Sequence, residues 1–295
     1  MKPMLAHTAR PDLSDVRFPC ILQPKYDGIR AVLPPTGPLV SRNLKPIRNL
    51  ALQDMLINLP RPDFSVDGEL LPRHRPTENA FNRTQSLVKA DGPLDELSYC
   101  IFDMMTESDY INRHRELVKF ANQHWQPHLA SGLIMVVPGY AAMDRDTVDK
   151  YETAAVANGW EGVMIRQGAA GYEQGKRSRS LLKVKRFEDA EATVLDYECM
   201  YTNENEKTTD ALGHAKRSSH AANKKPLHLL GALRCRRVGD GVEFSVGTGW
   251  PMAERAALWH QRATLVGRTL TYKHQPSGAA EAPRFPTFLR WIDPE

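Results

Sequence analysis

The chain has 295 residues, a formal net charge of +4 and four cysteines. That length allows two domains with real cores, and so mild a basicity permits a polyanionic partner without demanding one. Cys20, Cys100, Cys199 and Cys235 lie too far apart for a C-x-x-C zinc pair, and no stretch is apolar for long enough to be a secretory signal or a membrane span; the expectation is a reduced, cytoplasmic protein with no membrane contact.

In chain order, Cys20 to Gln23 and Ile29 to Leu33 read as strands around the run Lys25-Tyr26-Asp27-Gly28-Ile29-Arg30. A lysine amine is a nucleophile when desolvation or a neighbouring cation holds it unprotonated. A glycine lets backbone approach a ligand, and an arginine fork suits phosphate. An Asp-Gly hairpin turn between the two strands explains the same residues structurally. Phe64 to Leu71 reads as a strand whose alternation puts Asp67 and Glu69 on one face. A carboxylate there can accept from a hydroxyl or ligate a cation, although two acids on a solvent face have the same pattern. Tyr99 to Met104 is a strand carrying Phe102, either a core ring or a platform for a base.

Tyr110 to Trp125 reads as a helix with Ile111, Leu117, Phe120, Ala121 and His124 near one face, and Leu133 to Val137 as a strand. A further helix runs from an N-cap at Asp144 or Asp146 to Asn158-Gly159, burying Val148, Tyr151 and Ala155. Gly162 to Arg166 and Leu181 to Lys185 are strands, the second placing Lys183 and Lys185 on one face. Two exposed lysines on an edge strand would look identical. Beyond Glu188 the pattern turns strand-rich, at Glu191 to Tyr197, Gly231 to Val238, Val242 to Val246 and Thr269 to Lys273, with a helix at Met252 to Thr264. These elements fit a small barrel. The stretch 202–226 is polar, bears Lys207, Lys216, Arg217, Lys224 and Lys225, and has no hydrophobic period. It reads as a disordered surface insert or as a flexible arm that orders on phosphates.

Taken together, the Lys25 run, Ser41-Arg42-Asn43, Val66-Asp67-Gly68-Glu69-Leu70-Leu71, Tyr99-Cys100-Ile101-Phe102-Asp103, Glu161-Gly162-Val163-Met164-Ile165-Arg166 and Leu182-Lys183-Val184-Lys185 resemble, in order, the motif series of the covalent nucleotidyltransferases. Over essentially its whole length the chain resembles a small, bacteriophage-like ATP-dependent DNA ligase. The resemblance implies an α+β protein: an adenylation domain of antiparallel sheets and helices over 1–188, then an OB-fold barrel over 189–295 with the insert at 202–226, hinged at the charged segment 185–189. It implies ATP and Mg²⁺, with Mn²⁺ as a substitute, nicked double-stranded DNA as partner, and action as a monomer.

By the same resemblance Lys25 is the nucleophile that carries AMP, and Asp27 orients it or helps place the metal. Lys183 and Lys185 face the α-phosphate; Arg30 and Arg42 hold ribose and phosphates, and later the 5′-phosphate of the nick. Glu69 takes a ribose hydroxyl or the metal, Phe102 stacks on adenine, and Gln23 lies at the adenine rim. Glu161 is the main metal ligand, because Mg²⁺ needs only one or two carboxylates beside phosphate oxygens. Arg42 and the five cations of the insert contact DNA.

The C-terminal run departs from the family pattern R-F-P-x-F-x-R-x-R-x-D-K: Arg284 and Arg290 are present, but Ile292 stands at an arginine position and Pro294-Glu295 replaces the lysine ending. Arg290 is therefore the expected pyrophosphate contact. The alternatives are an RNA ligase or capping-type nucleotidyltransferase, and a catalytically weakened nicked-DNA-binding protein. The run 241–250 and Arg284-Phe285-Pro286 favour a DNA ligase, and too few residues precede Lys25 for a nicotinamide-binding domain, so ATP is expected over NAD⁺.

Overall fold

The computed structural model describes residues 1–73, 80–89, 94–184, 187–210, 212–218, 220, 223–275 and 282–292. They form two units, one of 1–185 with 209–214 and one of 186–208 with 215–295.

The first unit opens with strands β1 (Leu5–Thr8), β2 (Cys20–Lys25), β3 (Ile29–Leu33) and β4 (Val40–Ser41), helix α1 (Leu50–Ile57), strand β5 (Val66–Pro72) and helix α2 (Ala80–Lys89). It continues through β6 (Leu97–Met104), α3 (Tyr110–His124), α4 (Gln126–Ala130), β7 (Ile134–Val136), β8 (Tyr140–Ala142), α5 (Arg145–Ala157), β9 (Gly162–Arg166) and β10 (Arg177–Val184). Two five-stranded sheets result, ordered β1-β10-β9-β2-β8 and β4-β3-β5-β6-β7. β2 and β3 therefore belong to different sheets, so the Asp-Gly hairpin reading is wrong. Tyr26-Asp27-Gly28 is a crossing from one sheet to the other.

The helices follow their caps and apolar faces. Asp109 and Asp144 cap α3 and α5, accepting from the N–H groups of Asn112 and Thr147. α3 buries Tyr110, Arg113, Leu117 and Ala121, whereas Ile111 and His124, expected on that face, are exposed. α5 buries Val148, Glu152 and Ala155, with Tyr151 half-buried. The short α1 and α2 were not expected from the sequence; packing holds them, α1 by burying Leu52 and Leu56. The largest core gathers Leu33, Leu52, Leu70, Tyr99, Ile101 and Trp125, each contributing roughly 1.5–3 kcal/mol by leaving water. Trp125 Nε1 donates to the Pro60 carbonyl at 2.8 Å. Leu212, from the segment 209–214, is buried in this core, and its carbonyl accepts from Ser41 Oγ at 2.8 Å.

The second unit contains β11 (Glu188–Asn203), β12 (Lys207–Thr209), β13 (Ala215–Arg217), β14 (Lys224–Arg237), β15 (Glu243–Val246), α6 (Met252–His260), β16 (Thr269–Gln275) and β17 (Arg284–Ile292). The order β15-β14-β11-β16-β17 makes one strongly paired antiparallel sheet around Val194, Leu233, Phe244, Trp250, Leu270 and Tyr272. Buried Arg255 fastens α6 to this sheet by donating to the carbonyls of Leu230 (2.7 Å), Gly231 (3.0 Å) and Gly247 (2.6 Å).

The described residues of the insert are held by strand pairing and side-chain hydrogen bonds. β11 and β14 stay paired as far as Asn203 and Lys224, and β12 and β13 form a small sheet of their own. Asn203 and Asn205 lock the connection by donating to the Ser218 carbonyl at 2.9 and 3.0 Å. Side-chain amides replace the hydrophobic period that the sequence lacks.

Candidate active site

The crossing from β2 to β3 brings Lys25 to the edge of a cavity of about 470 Å³ within the first unit. Tyr26 anchors the crossing from below, buried and edge-on to Trp160 with ring centroids 4.5 Å apart. Gly28 has to be glycine because a Cβ there would lie 2.1 Å from the Leu70 carbonyl oxygen. Its N–H donates to Glu69 Oε1 at 3.1 Å, which ties the crossing to β5.

Lys25 Nζ forms an ion pair with the carboxylate of Glu161. β2 and β9 impose that meeting: Lys25 stands opposite Gly162, and the Glu161 N–H donates to the Lys25 carbonyl at 3.0 Å. Among the described residues no three His, Cys, Asp or Glu side chains converge into a preformed metal cage. Mg²⁺ asks for less, since it keeps waters and takes phosphate oxygens. Glu161, with its side chain only 5% exposed beside the amine, could offer it one carboxylate.

Glu69 lines the same cavity. Burial pushes its carboxyl up to about 7, although Arg30, Lys25 and the Gly28 N–H all pull it down. Arg30 grips Asp67 with both prongs, Nε to Oδ1 at 2.6 Å and Nη2 to Oδ2 at 2.5 Å, while Tyr172 donates its hydroxyl to the same carboxylate. Burial opposes the charge on Arg30, but the adjacent Asp67 outweighs it and raises the guanidinium.

Phe102 lies beneath two guanidinium groups, with Arg30 4.9 Å and Arg166 5.3 Å from its centroid. Arg166 is 4% exposed and donates to Gln23 Oε1 at 2.7 Å and to Asp103 at 2.6 Å. Arg113 forks onto the same Asp103, at 2.7 and 3.2 Å. Gln23 completes the chain by donating Nε2 to the Val137 carbonyl at 3.1 Å, so both ends of its amide are engaged within the protein. Sequence reasoning missed Asp103, Arg113, Arg166 and Tyr172. The available signal was a charged residue within each of two apolar strands, since buried charges must find partners.

The cavity thus gathers Gln23, Lys25, Arg30, Arg42, Glu69, Phe102 and Lys183 of the expected residues, with Glu161 paired to Lys25. Asp27 lies half-buried in the crossing, and Met164, Arg166 and Arg177 join the lining. Lys185 lies outside the described residues. Arg290 on β17 belongs to the second unit, as do Lys207, Lys216, Arg217, Lys224 and Lys225, all exposed on β12, β13 and β14.

Two family models match the chain: an ATP dependent DNA ligase domain over residues 3–185 and a DNA ligase OB-like domain over 223–291. A probable DNA ligase of Streptomyces griseus is 25% identical over 67% of this chain and 42% of its own length. A DNA ligase of Methanobrevibacter smithii is 26% identical over 66% of this chain and 38% of its own. The chain therefore spans about two fifths of the length of these relatives. Among solved structures, a Lig E DNA ligase superposes with a TM-score of 0.74 at 25% identity, over 99% of this chain and 100% of that one. A Chlorella virus DNA ligase-adenylate does so with a TM-score of 0.54 at 29% identity, over 100% and 99%. No helix among the described residues is long and apolar enough to cross a membrane.

Proposed function

Because this chain belongs to the ATP-dependent DNA ligase family, we propose that it seals nicks in duplex DNA by passing AMP from ATP through Lys25, acting as a cytoplasmic monomer. The observation that carries this reading is a lysine amine held against a buried carboxylate, Glu161, at the mouth of a cavity with a ring, a carboxyl and several cations.

Lys25 Nζ attacks the α-phosphorus of ATP, forming a P–N bond as the bond from that phosphorus to the bridging oxygen breaks and pyrophosphate leaves. A 5′-phosphate oxygen of the nick then attacks the same phosphorus and frees the lysine. Finally the 3′-hydroxyl attacks the 5′-phosphate, the new phosphodiester forms and AMP departs. Each step is displacement at phosphorus, so the protein positions groups and neutralises charge. Phe102 supports the base, and Glu69 offers its carboxyl to the ribose. Arg42 and Lys183 face the phosphates; the family pattern puts Lys185 beside them and gives the leaving pyrophosphate to Arg290. Gln23 and Arg30 act mainly through their neighbours, because their polar faces already bind Arg166, Val137 and Asp67. Mg²⁺, with Mn²⁺ as substitute, would be held by Glu161, with Glu69 and Asp27 nearby, and supplies positive charge at the phosphates. Only an unprotonated amine can attack, so Lys25 has to give up its proton before the first step.

The test is joining of a singly nicked duplex with ATP, against NAD⁺ as nucleotide and nicked RNA as substrate. Sealed DNA with ATP alone is expected. Preferential sealing of RNA, or none, contradicts the proposal.

A further inference from the structure

Adjoining the nucleotide cavity, a second cavity of about 740 Å³ is lined by Arg10, Arg17, Arg179 and His7 with one carboxylate, Asp15. Asp15 accepts from the backbone N–H of Arg10 at 3.0 Å, the Arg10 side chain donates to the Ser14 hydroxyl at 3.4 Å, and its charge also acts on the exposed Asp12 carboxylate nearby. None of the ion pairs among the described residues of this unit involves these three arginines, and all three are exposed. Three arginines against one lining carboxylate leave an excess of positive charge, and an incoming anion relieves their repulsion.

The backbone aims one of the three. β1 pairs with β10 in parallel, but between Ala6 and His7 the register jumps from Ser178 to Leu182. Residues 179–181 therefore have no partner on β1, and such a bulge redirects side chains at a sheet edge. The same two strands line both cavities: Leu5, Ala6, Arg177 and Lys183 face the nucleotide, while His7, Thr8 and Arg179 face the second cavity. Arg179 and Lys183 lie four residues apart on the same strand, β10, one at each cavity. The second cavity has no Phe, Tyr or Trp to stack on a base. Its chemistry is that of a phosphate group alone.

We propose that this cavity is a second anion site, which takes a backbone phosphate of the DNA flanking the nick. The proposal rests on the ligase reading above. It is tested with Arg10→Ala, Arg17→Ala and Arg179→Ala, singly and combined, each checked for folding by thermal melting. The triple variant should take AMP from ATP like the wild type. It should bind nicked duplex about tenfold more weakly at low salt, with a log K against log salt slope shallower by about 0.9 for each phosphate that is no longer neutralised. Arg179→Lys, which keeps the charge, should keep the slope.

Unchanged affinity and slope in the triple variant overturn the proposal. So does a site that binds inorganic tripolyphosphate in the wild type, and fails to in the variant, while the DNA slope stays put. If the wild type neither takes AMP nor binds a nicked duplex, the ligase reading itself fails, and that outcome is separate from either of these.

Discussion

At the scale of single residues, the site is a set of charges that restrain one another. Lys25→Arg keeps a positive charge opposite Glu161 but presents a guanidinium that stays protonated. Adenylation should vanish in that variant while nick binding, measured by gel shift, persists. Glu69 yields a pH prediction. Its carboxyl is raised from 4.5 to about 7, chiefly by burial, so between those values the native state holds a proton that the unfolded chain has released. Stability therefore falls as pH rises from about 4.5 to 7 and levels off above. In Glu69→Gln that fall should disappear from melting curves of the ligand-free protein; a wild-type melting point that rises with pH through this window would contradict the assignment.

Arg166 makes the strongest structural demand. Replacing it by Met leaves Asp103 buried with one partner fewer and frees Gln23. Breaking such a pair costs about 3–5 kcal/mol, so a clear drop in melting temperature is expected, together with a higher KM for ATP as Phe102 loses support. That Arg42 and Lys25 would meet at one cavity was legible because nucleophile and phosphate chemistry restricts residue type at fixed spacing. Arg166, Asp103 and Arg113 were not, because their roles depend on which strands and helices meet.

At the scale of elements, strands carrying motifs were legible as apolar runs, and Gly162 to Arg166 agrees at both ends with β9. The separation of β2 and β3 into two sheets was not. A three-residue crossing and a hairpin turn share the same Asp-Gly chemistry, and long-range pairing decides between them. Likewise the segment 202–226 lacks a hydrophobic period, yet its described residues are held by cross-strand bonds and by the Asn203 and Asn205 amides. Deleting it would also remove Leu212 and His214, which line the nucleotide cavity. The informative variants are therefore substitutions. Neutralising Lys207, Lys216 and Lys224 together should weaken nick binding and leave adenylation intact. Leu212→Ala should cost about 2–5 kcal/mol of stability, and an unchanged melt would mean that its burial is not maintained in solution.

At the scale of the whole molecule, a net charge of +4 on 295 residues is modest, so DNA affinity must come from clustered cations. If Arg42, the five cations of 202–226 and the proposed second anion site each neutralise one phosphate, the log K against log salt slope for nicked duplex should be roughly −6. A nearly flat slope would refute phosphate-based grip. The sequence signal for two domains was the change of pattern near residue 188, where one half alternates strands with helices; the chain passes from one unit to the other at 185/186, and 209–214, inside the second half by that pattern, belongs to the first unit. Ile292 stands where the family pattern has an arginine, and Arg284 and Arg290 are the cations of that run.

The most direct measurement is the mass of tryptic peptides after the purified protein is incubated with ATP and Mg²⁺ and then chased with a nicked duplex. The account predicts one adenylyl group on the peptide containing Lys25, discharged on addition of the nick as sealed DNA appears. No adduct on Lys25, or an adduct on another residue that nicked DNA fails to discharge, would contradict it.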